Sequence, residues 1–333
     1  MAESLQNIKS RLGAVKNIGQ ITKAMEVVSA TKMRKSQEAA LGSRPYAFFA
    51  LELLEKLLKA GDLKKINIPL SASREIKKTL VVVVASDRGL AGSFNSQVFR
   101  VADALLARDD HAAKPEHEFV FAAVGKKAEN YILSAKGGPA SGRKNNLIGK
   151  FRGFGDFIKT EEVTPLAEFL TDGYLKGDYD RVLVVSTHFR TALFQEVLVR
   201  QILPFDPEKI EQIVKEIVPE RGKFSGLEAA RSSTPGVGGA QTPGVFPRAD
   251  YILEPTPAEI LNSLIPHLFK MQIYHIILEA NASEHSARMV AMKNAADNAD
   301  EIATDLSISY NKARQAAITG EMIEISGTQS ALT

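Results

Sequence analysis

The feature that most constrains this chain is a heptad line in its last quarter, from Thr256 to about Ile325. At alternating steps of four and three the positions read Leu264, Leu268, Met271, His275, Leu278, Ala282, His285, Met289, Met292, Ala296, Ala299, Ala303, Leu306, Tyr310, Ala313 and Ala317. Apart from two histidines and a tyrosine, every member is apolar. A seam kept for more than seven heptads, with no turn signal inside it, is the pattern of a coiled coil. About 70 helical residues reach roughly 105 Å. Helices that merely cover a globular core seldom exceed about 20 residues, so this one is expected to span something. Thr256-Pro257-Ala258-Glu259 supplies an N-cap, a proline at the first helical position and a glutamate at N3. Pro266 removes one backbone bond, and a kink is expected there with the straight shaft beginning just after it. Alanine crowds the C-terminal half of the seam, where a partner helix can approach closely.

Residues 3 to about 41 carry a second long helical pattern. Leu5, Ile8, Leu12 and Val15 form one apolar line, and Ile18, Ile21, Met25 and Val28 form the next. Joining them takes two consecutive steps of three, so an overwound seam is expected at Val15–Ile21. Gly19 falls inside this stretch and weakens a helix by about 1 kcal/mol relative to alanine. Residues 1–40 hold seven Lys/Arg against three Asp/Glu, which suits a solvated helix face or a contact with an acidic protein surface. Gly42-Ser43-Arg44-Pro45 should bend or break the helix, and Phe48, Leu51, Leu54 and Leu58 continue an apolar face beyond it.

Between the two helices the period changes. Thr79 to Ala85 is a continuous, largely β-branched run, as in a strand buried on both faces. It leads into the turn Ser86-Asp87-Arg88-Gly89-Leu90-Ala91-Gly92-Ser93-Phe94-Asn95 and a helical pattern over Ser96–Ala107. Strand, Gly-rich turn and helix open a Rossmann-like unit. Phe119–Val124 reads as a second strand followed by a helix over Lys126–Ser134. Arg181–Ser186 reads as a third strand and Leu193–Val199 as a fourth. The expected class is α/β: long N- and C-terminal helices with a central Rossmann-like domain on a largely parallel sheet. The boundaries are an N-terminal shaft helix over 1–60, the α/β domain over 75–204, an insertion over 205–250 and the C-terminal shaft helix over 256–326. Within the insertion, Pro207–Pro219 has the pattern of a short amphipathic helix. The Gly/Pro-rich stretch from Ser232 to Arg248 reads as a mobile, dispensable loop.

Composition narrows the chemistry. The chain has 333 residues, a net charge of +3 and no cysteine, so disulfides, thiolate metal sites and cysteine nucleophiles are excluded. A charge so near balance gives no reason to expect nucleic acid. MAESLQNIKS has no apolar signal core, and Leu80–Ala85 is too short to cross a bilayer. A soluble intracellular chain is expected, reaching a membrane only through partners. The Ser86–Asn95 turn lacks both G-x-G-x-x-G and the P-loop pattern, so Asp87 and Arg88 are expected to act structurally. His275 and His285, ten residues apart on the seam, are too far separated to share a metal. No catalytic constellation stands out, and no cofactor is expected.

Three stretches resemble the gamma subunit of the rotary, F-type ATP synthase: IGQITKAMEVVSATKMRKSQ at Ile18–Gln37, SDRGLAGSFN at Ser86–Asn95, and Ala282–Glu324 with SEHSARMVAMKNAADNA and YNKARQAAIT. Gly19 stands where that family usually has a polar residue, and Ala91 where cysteine is common. The resemblance implies an antiparallel, left-handed coiled coil turning inside a ring of alpha and beta subunits. The α/β domain would rest on the epsilon subunit and the c-ring. It also implies a non-catalytic rotor, peripheral on the cytoplasmic face of the bacterial inner membrane. Lys23, Met25, Arg288, Arg314, Gln315, Thr319 and Glu321 fall where that family's shaft meets the ring. Two readings compete with it: a nucleotide-binding α/β protein with a coiled-coil interaction arm, and a self-associating scaffold.

Overall fold

A computed structural model describes residues 4–42, 69–72, 74–108, 117–134, 146–155, 158–205, 254 and 256–330. The expected apolar face at Phe48–Leu58, the amphipathic stretch Pro207–Pro219 and the loop 232–248 lie outside these residues. The elements in chain order are α1 (Leu5–Gly42), a 3-10 turn (Pro69–Ser71), β1 (Lys78–Val84), α2 (Phe94–Arg108), β2 (Glu118–Val124), α3 (Lys126–Leu133), β3 (Leu147–Phe151), α4 (Thr164–Lys176), β4 (Arg181–Phe189), β5 (Gln195–Leu203) and α5 (Pro257–Ser330). They fall into two compact units. One gathers Met1–Thr31, Leu90–Gly92 and His285–Thr333; the other gathers Lys32–Gly89 and Ser93–Glu284. Among the described residues no helix is long and apolar enough to cross a membrane.

The larger unit is a five-stranded sheet in the order β3-β2-β1-β4-β5. The first four strands run parallel, and β5 returns antiparallel to β4 as an edge hairpin. β1 is the middle strand and is buried on both faces, as are parts of its neighbours β2 and β4. Leu80, Val82 and Val84 enter one core, with α4 and the first turns of α5. Val81 and Val83 enter the other, with α2 and α3. The continuous apolar run read from the sequence is therefore the middle one of the strands that both layers share.

Two elements escape the sequence reading, β3 and α4. β3 is short and lacks a β-branched run, and its centre is Gly149. A Cβ there would lie 2.9 Å from the ring of Phe169, so the glycine is set by how closely α4 crosses the strand. The fourth strand also begins later than expected, at Gln195. Thr191–Phe194 form the hairpin turn instead, closed by hydrogen bonds in both directions between the backbones of Thr191 and Phe194.

α5 is 74 residues long and begins where the capping pattern places it. The Glu259 amide donates to Thr256 Oγ1 at 3.3 Å, and the Ile260 amide donates to the Thr256 carbonyl at 3.1 Å. The helix continues through Pro266. Pro266 and Asn262, whose carbonyl loses its partner, are both exposed, so water can satisfy that carbonyl. In its first turns α5 buries Leu261, Ile265, Phe269 and Ile273, one face round from Leu264, Leu268 and Met271, which are only half-buried. From His275 to Ala303 the expected seam is buried at His275, Leu278, Ala282, His285, Met292, Ala296, Ala299 and Ala303, with Met289 half-buried.

α1 corrects the sequence reading. The line Ile18, Ile21, Met25 and Val28 does not continue the seam: Ile18, Ile21 and Val28 are 54%, 59% and 52% exposed. The buried positions are Ile8, Gly19, Thr22, Ser29 and Ser36, with Leu12, Val15, Glu26 and Met33 half-buried between them. These positions follow steps of four and three without a break, so no overwound step exists. The inward side of α1 is the line that continues from Ile8, Leu12 and Val15 without a break, not its most hydrophobic line.

Candidate functional site

The unit built from both chain ends is a pair of antiparallel helices. As α1 advances from Gly19 to Lys23, its neighbours on α5 step back from Ala299 and Asp300 toward Asp297. The helices approach closely because the seam is small on both sides: Gly19, Thr22 and Ser29 on α1, and Ala296, Ala299 and Ala303 on α5. A Cβ built on Gly19 would sit 3.5 Å from that of Ala299. The Thr22 and Ser29 hydroxyls inside the seam are satisfied by their own helix. Thr22 Oγ1 donates to the carbonyls of Ile18 and Gly19 at 2.9 and 3.0 Å, and Ser29 Oγ donates to that of Met25 at 2.7 Å. Such a seam holds two helices together while leaving large apolar residues free to face outward. Ile18, Ile21 and Val28 do so on α1, as do Ile302, Ile308, Ile318, Met322 and Ile323 on α5.

The residues expected at a partner surface divide into three kinds. Lys23 is exposed and pairs with Glu26 at 2.9 Å. That hydrogen bond and charge, with Asp297 and Asp300 adding theirs, hold its ammonium above the usual lysine range. Met25 is half-buried, next to the exposed isoleucine line. Arg288 is 8% exposed, with Nη1 3.2 Å from His285 Nδ1, so its guanidinium is part of the packed seam in this chain. Arg314, Gln315, Thr319 and Glu321 are all exposed on the last turns of α5. Thr319 Oγ1 donates to the Gln315 carbonyl at 2.8 Å. The sequence reading put Ile18, Ile21 and Val28 on one line with Met25 but took that line for the seam, whereas it faces outward. The signal was present: a one-residue shift turns a broken heptad into an unbroken one.

The Gly-rich turn after β1 is knitted into the protein. The Ser86 amide donates to Asn95 Oδ1 at 3.1 Å, and Ser86 Oγ donates to the Arg88 carbonyl at 2.6 Å. Asp87 accepts from the amides of Lys126 at 2.8 Å and Gly153 at 3.2 Å, capping α3 and fixing the chain after β3. Gly92, at φ 54°, belongs to the helix-pair unit and lies against α5, where an added Cβ would meet that of Ala291 at 3.7 Å. Among the described residues no cluster of His, Cys, Asp and Glu could hold a metal ion.

Comparison with known proteins agrees with this arrangement along the whole chain. A family profile described as ATP synthase matches residues 4–332. The ATP synthase gamma chain of Roseiflexus castenholzii is 34% identical over 331 residues, covering 99% of this chain and 98% of that one. The ATP synthase gamma chain of Opitutus terrae is 36% identical over 329 residues, 98% of each chain. Among solved structures, a chain of the Euglena gracilis mitochondrial ATP synthase (OSCP/F1/c-ring, rotational state 3) superposes with a TM-score of 0.58 at 17% identity, over 98% of this chain and 94% of that one. A chain of the Tetrahymena thermophila mitochondrial ATP synthase central stalk and c-ring gives 0.52 at 23% identity, over 83% and 99%. At these identities the structural likenesses show the fold.

Proposed function

This chain belongs to the ATP synthase gamma-chain family, and we propose that it works as the central-stalk rotor of an F-type ATP synthase, coupling ion flow through a membrane ring to ATP synthesis or hydrolysis in an alpha/beta hexamer. The observation that carries this reading is the extent of the family match, which includes both long helices as well as the sheet. The helix pair suits a shaft: small side chains fill much of its seam, and large apolar residues stand exposed on both helices. An asymmetric shaft contacts the three catalytic subunits differently at each angle. Differential contact is what linkage requires if each site is to be biased in turn toward binding or release. The chain itself would do no chemistry. The sheet unit would meet an epsilon subunit and the c-ring, and the complex would lie on the cytoplasmic face of a bacterial plasma membrane, with this chain peripheral. Lys23, Met25, Arg314, Gln315, Thr319 and Glu321 are the proposed ring contacts; Arg288, being buried, would act by setting the seam beside them.

A nucleotide-binding role for the α/β unit is not favoured: the turn after β1 lacks both G-x-G-x-x-G and the P-loop pattern, and its Asp87 carboxylate is committed to the amides of Lys126 and Gly153. The rotor reading is tested by co-purification with alpha and beta subunits, and by the number of ions pumped per ATP hydrolysed in vesicles carrying Met25→Lys. A new ammonium on a surface that must slide past ring loops adds an ion pair at some angles. Pumping per ATP should fall more than assembly does. An unchanged ratio with normal assembly would remove Met25 from the contact surface.

A further inference from the structure

Where α5 crosses the sheet unit, its contacts change character. Leu261, Ile265, Phe269, Ile273, Ile276 and Ile277 bury themselves in the core beneath it. Next come three directional contacts. Tyr274 Oη donates to the Ile158 carbonyl at 3.2 Å, and Asn281 Nδ2 donates to that of Gly155 at 3.1 Å. Between them lies Glu279. Its Oε1 is 2.9 Å from His188 Nδ1 on β4, and its Oε2 is 3.1 Å from Arg200 Nη2 on β5. Arg200 also reaches Ser186 Oγ at 3.4 Å. In the β4–β5 register Val184 faces Arg200, Ser186 faces Leu198 and His188 faces Glu196. Alternation therefore puts Ser186, His188 and Arg200 on the sheet face that α5 covers. The carboxylate and the guanidinium are 15% and 10% exposed.

A buried pair of this kind adds little net stability over apolar residues of the same size. What it adds is direction. Apolar burial is non-directional and fixes a helix's rotation only through the packing of its side chains. A carboxylate gripped from two strands resists such a turn at once. α5 is one helix from Pro257 to Ser330, so any turn at Glu279 is carried along it.

We propose that Glu279, held by Arg200 and His188, is a torsional lock: a positioning residue that keeps α5 from rolling on the sheet when torque passes through the chain. The proposal rests on the rotor reading above. It is tested in the assembled, membrane-reconstituted complex with two variants: Glu279→Gln, and the apolar pair Glu279→Leu with Arg200→Met. Four quantities are read: incorporation of the chain, ATP hydrolysis, ions pumped per ATP, and the angular variance of a bead on the stalled rotor. Both variants should incorporate and hydrolyse ATP like the parent. The apolar pair should raise the angular variance at least about twofold and lower pumping per ATP, with Glu279→Gln in between because its amide still meets Arg200. Parental variance in the apolar pair would overturn the lock. So would failure of both variants to incorporate, since that shows a folding role. If the parent chain itself does not enter the complex, the rotor reading fails instead.

Discussion

Gly19 shows how a single residue is read differently once its neighbours are known. As an isolated helical glycine it is a weak point. In the helix pair it sits in the seam, where an added Cβ would meet Ala299 Cβ at 3.5 Å and Asp300 Oδ1 at 3.7 Å, both ordinary contacts. Gly19→Ala should therefore raise stability in urea unfolding, by up to about 1 kcal/mol. Gly125 is the opposite case. Its φ is 92°, and a Cβ would lie 2.0 Å from the Ala85 carbonyl oxygen, so Gly125→Ala must displace the end of β1. It should destabilise by about 2 kcal/mol or more in the same assay. Glu129 carries a pH dependence. Arg152 donates to its carboxylate from Nε at 2.7 Å and also from Nη2, and Lys150 lies 3.5 Å away. The Arg152 hydrogen bond, with the two positive charges, holds the carboxyl below its ordinary range against the opposing effect of burial. A depressed folded-state pKa contributes stability above the unfolded pKa, and that stability is lost as pH falls through the folded value. Glu129→Gln should thus be less stable than the parent at neutral pH, and the gap should close through the acidic carboxylate range. A gap that stays constant with pH would show that the ion pair contributes nothing.

At the scale of the element, α1 is the decisive case. Its most hydrophobic line faces out and a line of Gly, Thr and Ser faces in. Ser29 is 2% exposed in the seam. Ser29→Leu makes α1 more apolar yet should destabilise the chain by about 1–3 kcal/mol through overpacking. Ile21→Ser, which looks more disruptive on paper, should change stability by no more than about 0.5 kcal/mol, as an exposed substitution does. Thermal unfolding of the two variants side by side separates the two assignments of the helix face, and the reverse order would restore the isoleucine line to the seam. α5 was legible in far more detail, because from His275 to Ala303 its apolar residues and its heptad positions coincide. On α1 they do not, and counting hydrophobic residues selects the wrong face.

At the scale of the molecule the two units differ in what holds them. The sheet unit has two cores of Val, Leu, Ile and aromatic side chains on either side of β1. The helix-pair unit is sealed chiefly by Gly, Ala, Ser and Thr, which bury little apolar area. Backbone amides of α1 up to Thr31 and of α5 from His285 should exchange with solvent through cheaper openings than those of β1 and β4 in the free chain. Hydrogen exchange read by mass spectrometry checks this, and equal protection in the two units would contradict it. The amino-acid sequence by itself determined the two long helices, the start of α5, the central strand β1 with its Gly-rich turn, and the family. Each of these rests on a local period, a cap or a contiguous motif that one stretch of chain carries alone. Tertiary structure decided the inward face of α1, the place of β3 and α4, the antiparallel return of β5 and the grip on Glu279. Those depend on which distant residues meet: a small seam is buried only because a second small seam faces it, and Glu279 becomes a lock only when His188 and Arg200, some 80 to 90 positions earlier, close on it.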